Sequence, residues 1–299
     1  MRLGLAIAAL VLAAAAPASA STIVYGCGHD ICAVSPGGSH KRHITTDGTE
    51  KDPYHGPRLT ARILSFNHSG ENYLADRSGG HRRVLPYRHD LFGFPVAPLL
   101  RPDGRRALFY QGLQIGSHSD YRLCDITIKR RARAHCPELL PAERASWIWG
   151  PGHKFLSTAA FNGQEFTGDD ICITAGRGFC RKPYFKLRDG RIFEHAPALA
   201  PNQRWLAAGL DDTYHERRAH HIALIDLRRR RLVRDLTGGP GDAYPSWSPD
   251  GRRIVFVRTA YPKPEHPVSS ICTASIRGGH VHCPVKKVKG DTLSSPTWG

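Results

Sequence analysis

AYPSWSPDGRRIVFVR, residues 243 to 258, is the stretch of sequence that decides the fold. It predicts a strand, a tight turn and a second strand. Pro249 fixes φ at the second position of the turn, and Asp250 and Gly251 tolerate the backbone conformations that follow. The apolar run 254–257 then predicts the second strand, because branched and aromatic residues suit a pleated, half-buried surface.

Degraded copies of this stretch recur along the whole chain. With Pro245 as the anchor, the equivalent positions come every 41 to 51 residues, at Pro57, Pro98, Trp147, Pro197, Pro245 and Pro296. Each unit also contains a predicted third strand, at residues 31–34, 73–75, 123–126, 171–173, 222–225 and 271–274. Four strands repeated at this period are the signature of a β-propeller. The sequence therefore predicts an all-β fold, a six-bladed β-propeller of four-stranded blades.

The two ends of the chain are predicted to complete one blade between them. Residues 296–299 repeat only the opening of the motif, and the N-terminal copy lacks its innermost strand. We expect the C-terminal strand to join the N-terminal blade and close the ring. Closure of this kind hides strand edges that would otherwise invite aggregation.

The string from Tyr244 to Val257 resembles the repeat of TolB-like six-bladed propellers, which are related to WD-repeat proteins. The resemblance covers residues 21–299 and is most specific in the last blade. It implies the propeller domain only, because TolB carries an additional N-terminal α/β domain for which this chain has no room. It implies a fold and a habit of binding, and no catalytic residue carries over from it.

Residues 1–20 are typical of a secretory signal peptide. Arg2 supplies the positive start, residues 3–16 are almost unbroken apolar, and Pro17 to Ala20 form a cleavage signal. The apolar run is too short to span a bilayer. The sequence thus predicts an exported protein, periplasmic or extracellular, whose residues 21–299 form a single propeller domain.

Because the protein is predicted to be exported, its eight cysteines are expected to form disulfides. Connectivity is formally open, but the repeat favours four local pairs. These pairs are Cys27 with Cys32, Cys124 with Cys136, Cys172 with Cys180, and Cys272 with Cys283. None has the C-x2-C spacing of a structural zinc site. We therefore expect staples on the outer strands of four blades.

The formal net charge of +16 favours anionic partners. Sorted by turn, basic residues collect on the face formed by the first and third turns, and most acids collect on the opposite face. The predicted docking residues of the basic face are Arg105, Arg106, Arg130, Arg229, Arg252 and Arg253. The alternative is that hairpin tips are simply where exposed charge belongs. Export disfavours nucleic acid as the partner.

Seventeen histidines are many for this length, and several lie in loops assigned to the acidic face. His55 and His195 each stand two residues before an anchor proline, in blades that face each other across the ring. Imidazole together with carboxylate suits Zn²⁺, Mn²⁺ or Fe²⁺. A ligand site at this channel mouth is predicted at His55, His89, His195, Asp242 and Tyr244. The alternative is that these histidines are solvated loop residues without a ligand.

Two functions remain open at this stage. The first is a non-catalytic binding or scaffold propeller that engages a protein or an anionic envelope or extracellular ligand, with no cofactor. The second is a metal-dependent lyase or hydrolase acting on an acidic saccharide at the axial channel, since some TolB-like propellers that cleave oligogalacturonate use a histidine-bound metal. No G-x-S-x-G elbow, phosphate loop or dinucleotide fingerprint is present. The oligomeric state is open, with a monomer favoured.

Overall fold

Antiparallel strands make up nearly all of the regular secondary structure in the described chain. The computed structural model describes residues 21–85, 98–115, 118–129, 134–135, 139–140, 147–158, 160–161, 166–167, 170–174, 183–188, 191–193, 197–211, 220–239, 241–263, 266–289 and 293–299. Within these ranges the one helical segment is a single 3₁₀ turn at Pro151–His153. The signal peptide predicted at residues 1–20 lies outside them.

In the first three blades, strands that follow one another in the chain are neighbours in one antiparallel sheet. Their strands are β1 (Ile23–Cys27), β2 (Asp30–Val34) and β3 (Arg42–His43) in blade one; β4 (His55–Leu59), β5 (Ile63–His68), β6 (Glu71–Asp76) and β7 (Arg83–Val84) in blade two; and β8 (Leu99–Leu100), β9 (Arg106–Ile115), β10 (His118–Thr127) and β11 (Leu139–Leu140) in blade three. Blade one is completed by a strand from the other end of the chain.

The last three blades repeat the pattern with small additions. Their strands are β12 (Trp147–Trp149), β13 (Phe155–Ser157), β14 (Ala160–Phe161), β15 (Phe166–Thr167), β16 (Asp170–Thr174) and β17 (Phe185–Lys186) in blade four; β18 (Ile192–Phe193), β19 (Ala198–Leu199), β20 (Trp205–Asp211), β21 (His221–Asp226) and β22 (Arg231–Asp235) in blade five; and β23 (Asp242–Trp247), β24 (Arg253–Lys263), β25 (His266–Ser275) and β26 (His282–Lys289) in blade six. Strands β14 and β15 form a separate hairpin, and β18 and β19 both pair with β20. The predicted six-bladed propeller is confirmed.

The ring closes through the last strand of the chain, β27 (Ser294–Trp298), which pairs with β1. Trp298 lies opposite Ile23, and Thr297 lies opposite Val24. The backbone N–H of Thr22 donates to the Gly299 carbonyl over 2.9 Å, and the Gly299 N–H returns a bond of 3.0 Å. The sheet therefore runs β27-β1-β2-β3, as the broken repeat predicted.

Apolar side chains between neighbouring blades form the core. One cluster joins blades five and six around Leu224, Ile254 and Phe256, all almost fully buried. Its tryptophan, Trp247, donates its indole N–H to the Ala198 carbonyl of blade five over 2.8 Å. This bond satisfies the polar edge of a buried aromatic ring and fixes one innermost strand against the next.

The described cysteines agree with the predicted staples. Cys27 is bonded to Cys32, and Cys272 is bonded to Cys283. Cys124 and Cys172 are also disulfide-bonded. Their predicted partners, Cys136 and Cys180, lie outside the described residues.

Among the described residues, no helix has the length and the apolar character needed to cross a membrane.

Candidate functional site

The innermost strands of all six blades enclose a small cavity on the propeller axis. Its volume is about 150 Å³, and every blade contributes lining residues. The residue that follows each anchor position lines it in all six blades: Arg58, Leu99, Ile148, Ala198, Ser246 and Thr297. The repeat therefore sets the lining of the axis, one equivalent position from each blade.

A left-handed residue precedes the anchor proline in the three neighbouring blades six, one and two. The backbone φ is 53° at Tyr244, 45° at Ser295 and 55° at Gly56. The pairing register of the innermost strand shifts at the same places. The shift lies between Ala243 and Ser246 in blade six, between Ser294 and Thr297 in blade one, and between His55 and Arg58 in blade two. Such a bulge inserts an extra residue and re-aims its side chain. For tyrosine and serine the left-handed conformation is uncommon, so the bulge is a costly feature.

Tyr244 is the aromatic residue that this bulge places at the axis. It lines the axial cavity beside Pro245 and Ser246. Its side chain is 38% exposed, which is high for a large apolar group in this protein. Tyr244 therefore lines the axis, and its contact with a ligand stays a prediction.

Arg58 is the only charged residue among the described residues that line the axial cavity. Its Nε is buried from solvent and has no hydrogen-bond partner. Burial lowers the pKa of the Arg58 guanidinium below its usual value, and the nearby Tyr244 acts in the opposite direction. An arginine with an unsatisfied buried donor is costly to the fold, because water has been removed without a replacement acceptor.

The hydroxyl of Thr297 fixes the strand that carries Arg58. The backbone N–H of Leu59 donates to Thr297 Oγ1 over 3.1 Å, and this hydroxyl donates to the Pro57 carbonyl over 3.3 Å. These bonds bracket Arg58 on both sides along β4. The backbone that carries Arg58 is therefore fixed by a residue of the strand that closes the ring.

Asp242 is buried in the fold and paired with Arg258. Its side chain is fully buried, and Arg258 donates to it through Nε over 2.7 Å and through a terminal nitrogen over 2.8 Å. The backbone N–H of Gly239 adds a third bond of 3.1 Å. Asp242 therefore holds β23 and β24 together two residues before Tyr244. A direct contact between Asp242 and a ligand stays a prediction.

The predicted metal pair cannot be assembled from the described residues. His55 lies at the exposed start of β4, opposite Asn67. His195 and His89 lie outside the described residues. Within the described part of the chain, the one group of three side chains close enough together to share a metal ion is Cys27, Cys32 and His43. The two sulfurs of that group are joined in a disulfide, so they are not the thiolates that a metal requires.

The first and third turns of a blade meet on one face, as the charge sorting assumed. The backbone carbonyls of Arg105, Arg204 and Arg252 each accept a bond from the residue that opens the third turn of their blade. On this face Arg105, Arg229, Arg252 and Arg253 are exposed. Arg130 lies outside the described residues. Docking through this face stays a prediction.

Part of the basic charge on this face is neutralised locally. Arg106 is paired with Asp125. Arg204 donates to Asp226 over 2.6 Å, and Asp226 is almost fully buried. Arg229 approaches the same carboxylate at 4.0 Å. Counting arginines in the sequence therefore overestimates the free positive charge of the face.

Arg58 was missed by the sequence reasoning, although a signal was present. In the other five blades, the residue after the anchor is Leu99, Ile148, Ala198, Ser246 or Thr297. Arginine is the one charged residue at this position. Because the anchor begins an innermost strand, an arginine there predicts a charge on the propeller axis.

Solved structures resemble this chain, although no family model and no curated protein matches it. TolB from Acinetobacter baumannii has a TM-score of 0.67 at 17% identity, covering 93% of this chain and 66% of its own, so the present chain spans just under two thirds of that protein. An oligogalacturonate lyase in complex with manganese has a TM-score of 0.57 at 12% identity, covering 86% of this chain and 70% of its own. A chain of the nidogen/laminin complex has a TM-score of 0.56 at 10% identity. The match covers 93% of this chain and 98% of that one. The chain therefore has the fold of a TolB-like six-bladed β-propeller.

Proposed function

We propose that this protein is an exported, non-catalytic binding propeller that takes an anionic group of its ligand at the axial cavity. Arg58 is the contact for that group, and Tyr244 packs against the part of the ligand next to it. The observation that carries the proposal is the buried Nε of Arg58, which has no partner in a cavity with no other charge among its described lining residues.

A bound anion would supply the hydrogen-bond acceptor that the buried Arg58 Nε lacks. A carboxylate or phosphate accepts charge-assisted hydrogen bonds from a guanidinium and fits its planar fork. It would also offset the desolvation that lowers the pKa of Arg58. Neutral ligands supply acceptors but no charge, so they would bind more weakly.

The size of the cavity limits what can enter it. Its 150 Å³ is below the roughly 300–1,000 Å³ of pockets that enclose a whole small molecule. We therefore expect one anionic group to enter, such as a side-chain or terminal carboxylate, while the rest of the ligand stays outside. A protein partner that projects an acidic residue fits this description.

Two features support export. Residues 1–20 have the composition of a signal peptide, and the described part of the chain holds the disulfides Cys27–Cys32 and Cys272–Cys283. Disulfides persist in oxidising compartments and are rare in the cytosol. A binding function also agrees with the fold, which occurs in a chain of the nidogen/laminin complex.

Thermal unfolding in the presence of small anions tests the proposal. Sodium chloride would be replaced at constant ionic strength by acetate, phosphate or galacturonate. A ligand that binds only the folded state raises the midpoint in proportion to RT ln(1 + [L]/Kd). We expect at least one of these anions to raise the midpoint of the wild-type protein and not that of Arg58→Gln.

The matched control is Arg62→Gln, which removes an exposed arginine four residues further along the chain. It should respond to the anions like the wild-type protein. The proposal would be wrong if Arg58→Gln kept the full response, or if no anion shifted the wild-type protein more than chloride does.

The likeness to an oligogalacturonate lyase with manganese favours a second candidate function, a metal-dependent lyase acting on a uronate. Arg58 would then bind the uronate carboxylate, and the metal ligands would come from His55, His89 and His195. Elemental analysis of protein purified without chelator tests this function. Stoichiometric manganese, together with an unsaturated uronate product from oligogalacturonate, would establish it over the binding function.

A further inference from the structure

A second and larger concavity lies on the outer rim, between the fourth strands of blades four and five. Its volume is about 580 Å³, inside the roughly 300–1,000 Å³ range of ligand pockets. Residues 183–188 form one wall, and residues 230–232 form the other. We refer to it as the rim groove. It is separate from the axial cavity, with which it shares no lining residue.

The rim groove is strongly basic. Lys186, Arg188, Arg230 and Arg231 line it, and no carboxylate is among its described lining residues. Arg188, Arg230 and Arg231 form no ion pair with a described acid. Neighbouring arginines differ, because Arg204 is paired with Asp226 and Arg191 with Asp235. Among the described residues, these three groove arginines are thus not neutralised by a carboxylate.

The floor of the groove is apolar and fixed. Leu187 is buried in the core cluster of blades four and five, and Tyr184, Phe185 and Leu232 pack against that cluster. The Tyr184 hydroxyl donates to the Leu227 carbonyl of the next blade over 2.9 Å. This bond joins blade four to blade five beside the groove.

Arg230 has a backbone conformation that is unfavourable for arginine. Its φ is 51°, a left-handed conformation that favours glycine. Its guanidinium lies 4.5 Å from the centre of the Tyr184 ring, within range of a cation–π contact. A strained residue that carries charge into a groove suggests function, since strain of this kind clusters at binding sites.

We propose that the rim groove binds a linear acidic polysaccharide. Arginines on both walls can each bind a uronate carboxylate, and their planar forks suit that group. The aromatic and leucine floor offers apolar surface to the faces of sugar rings. The proposed export of the protein disfavours nucleic acid as the partner. The proposal does not depend on the anion site at Arg58.

Binding of a mannuronate hexamer, measured by isothermal titration at low and at moderate salt, tests the proposal. We expect measurable binding that weakens with salt, and none of a neutral maltohexaose. The double variant Arg188→Gln/Arg231→Gln should weaken binding about tenfold or more, the range for lost hydrogen bonds to charged groups. Arg230→Gly should also weaken it, and glycine keeps the left-handed turn.

The matched control is Arg62→Gln/Arg277→Gln, which removes two exposed arginines from blades two and six, away from the rim groove. It changes the net charge equally and should bind like the wild-type protein. An equal loss of hexamer affinity in both double variants would show that net charge alone explains the binding, and it would overturn the proposal. Equally tight binding of a short single-stranded DNA would overturn the choice of polysaccharide. Complete loss of hexamer binding in Arg58→Gln would place the hexamer at the axial cavity and overturn the proposal.

Discussion

Arg58 of blade two and Tyr244 of blade six line the same axial cavity, and the closing strand β27 packs against both of their innermost strands. Neither residue is near the other in sequence, and both are brought to the axis by the repeat. Burial lowers the pKa of the Arg58 guanidinium below its usual value. The completed ring therefore creates the only described charge on the axis and the aromatic group beside it.

The first prediction concerns the buried pair behind Tyr244. Asp242→Asn should destabilise the protein by about 3–5 kcal/mol, because it leaves the partly buried Arg258 without its partner. Urea unfolding measures this loss. Asp250→Asn, an exposed change in the turn of the same blade, should cost much less. A loss below about 1 kcal/mol for Asp242→Asn would mean that the pair does not hold the blade together.

The second prediction concerns ring closure. Thr297→Val keeps the shape of the side chain but removes the hydroxyl that bonds Leu59 and Pro57. The buried Leu59 N–H would then lack its partner, at a cost of about 1–3 kcal/mol. Thr127→Val, on an exposed strand position, serves as the control and should be nearly neutral. Equal unfolding midpoints for the two variants would contradict the role given to Thr297.

Much of the fold could be predicted because short stretches of sequence specify the turns and strands of each repeat. The turn Pro249-Asp250-Gly251 and the apolar run after it specify a hairpin without reference to distant residues. The broken copy at residues 296–299 then required a partner, and the N-terminal blade lacked the matching strand. β27 pairs with β1 as that reasoning predicted.

The site was harder to predict because its residues depend on geometry between blades. Asp242 was predicted as a ligand residue because it stands near the anchor proline, and that stays a prediction; the structure adds that its carboxylate accepts two hydrogen bonds from Arg258. That pairing links residues sixteen positions apart through the strand register, which composition does not reveal. Arg58 looked like one basic residue among many. Only its repeat position places it on the axis.

The third prediction concerns acid stability in the third turn of blade two. Hydrogen bonds from Ser78 and His81 lower the pKa of Asp76 below its usual value. A carboxyl whose pKa is lower in the folded state adds stability above its unfolded pKa of about 3.9, and this stability is lost as pH falls through the folded pKa. Asp76→Asn should therefore lower the urea midpoint near neutral pH, by an amount that shrinks below about pH 4.

The control for acid stability is Glu50→Gln, an exposed acid in the loop that precedes blade two. Its urea midpoint should follow that of the wild-type protein at every pH. A deficit of Asp76→Asn that stayed constant from neutral to acid pH would show that the ionised carboxylate of Asp76 is not what stabilises the turn.

The most direct test of the central claim is the NMR signal of the Arg58 Nε–H, followed in protein labelled with ¹⁵N at arginine. Arg58→Lys, which removes this signal alone, assigns it. Titration with acetate at constant ionic strength should move the Arg58 signal in a saturable way, because the anion would supply the missing acceptor. The Arg62 signal should stay in place. An Arg58 signal that does not move, or that moves no more than the signals of exposed arginines, would contradict an anion site on the propeller axis.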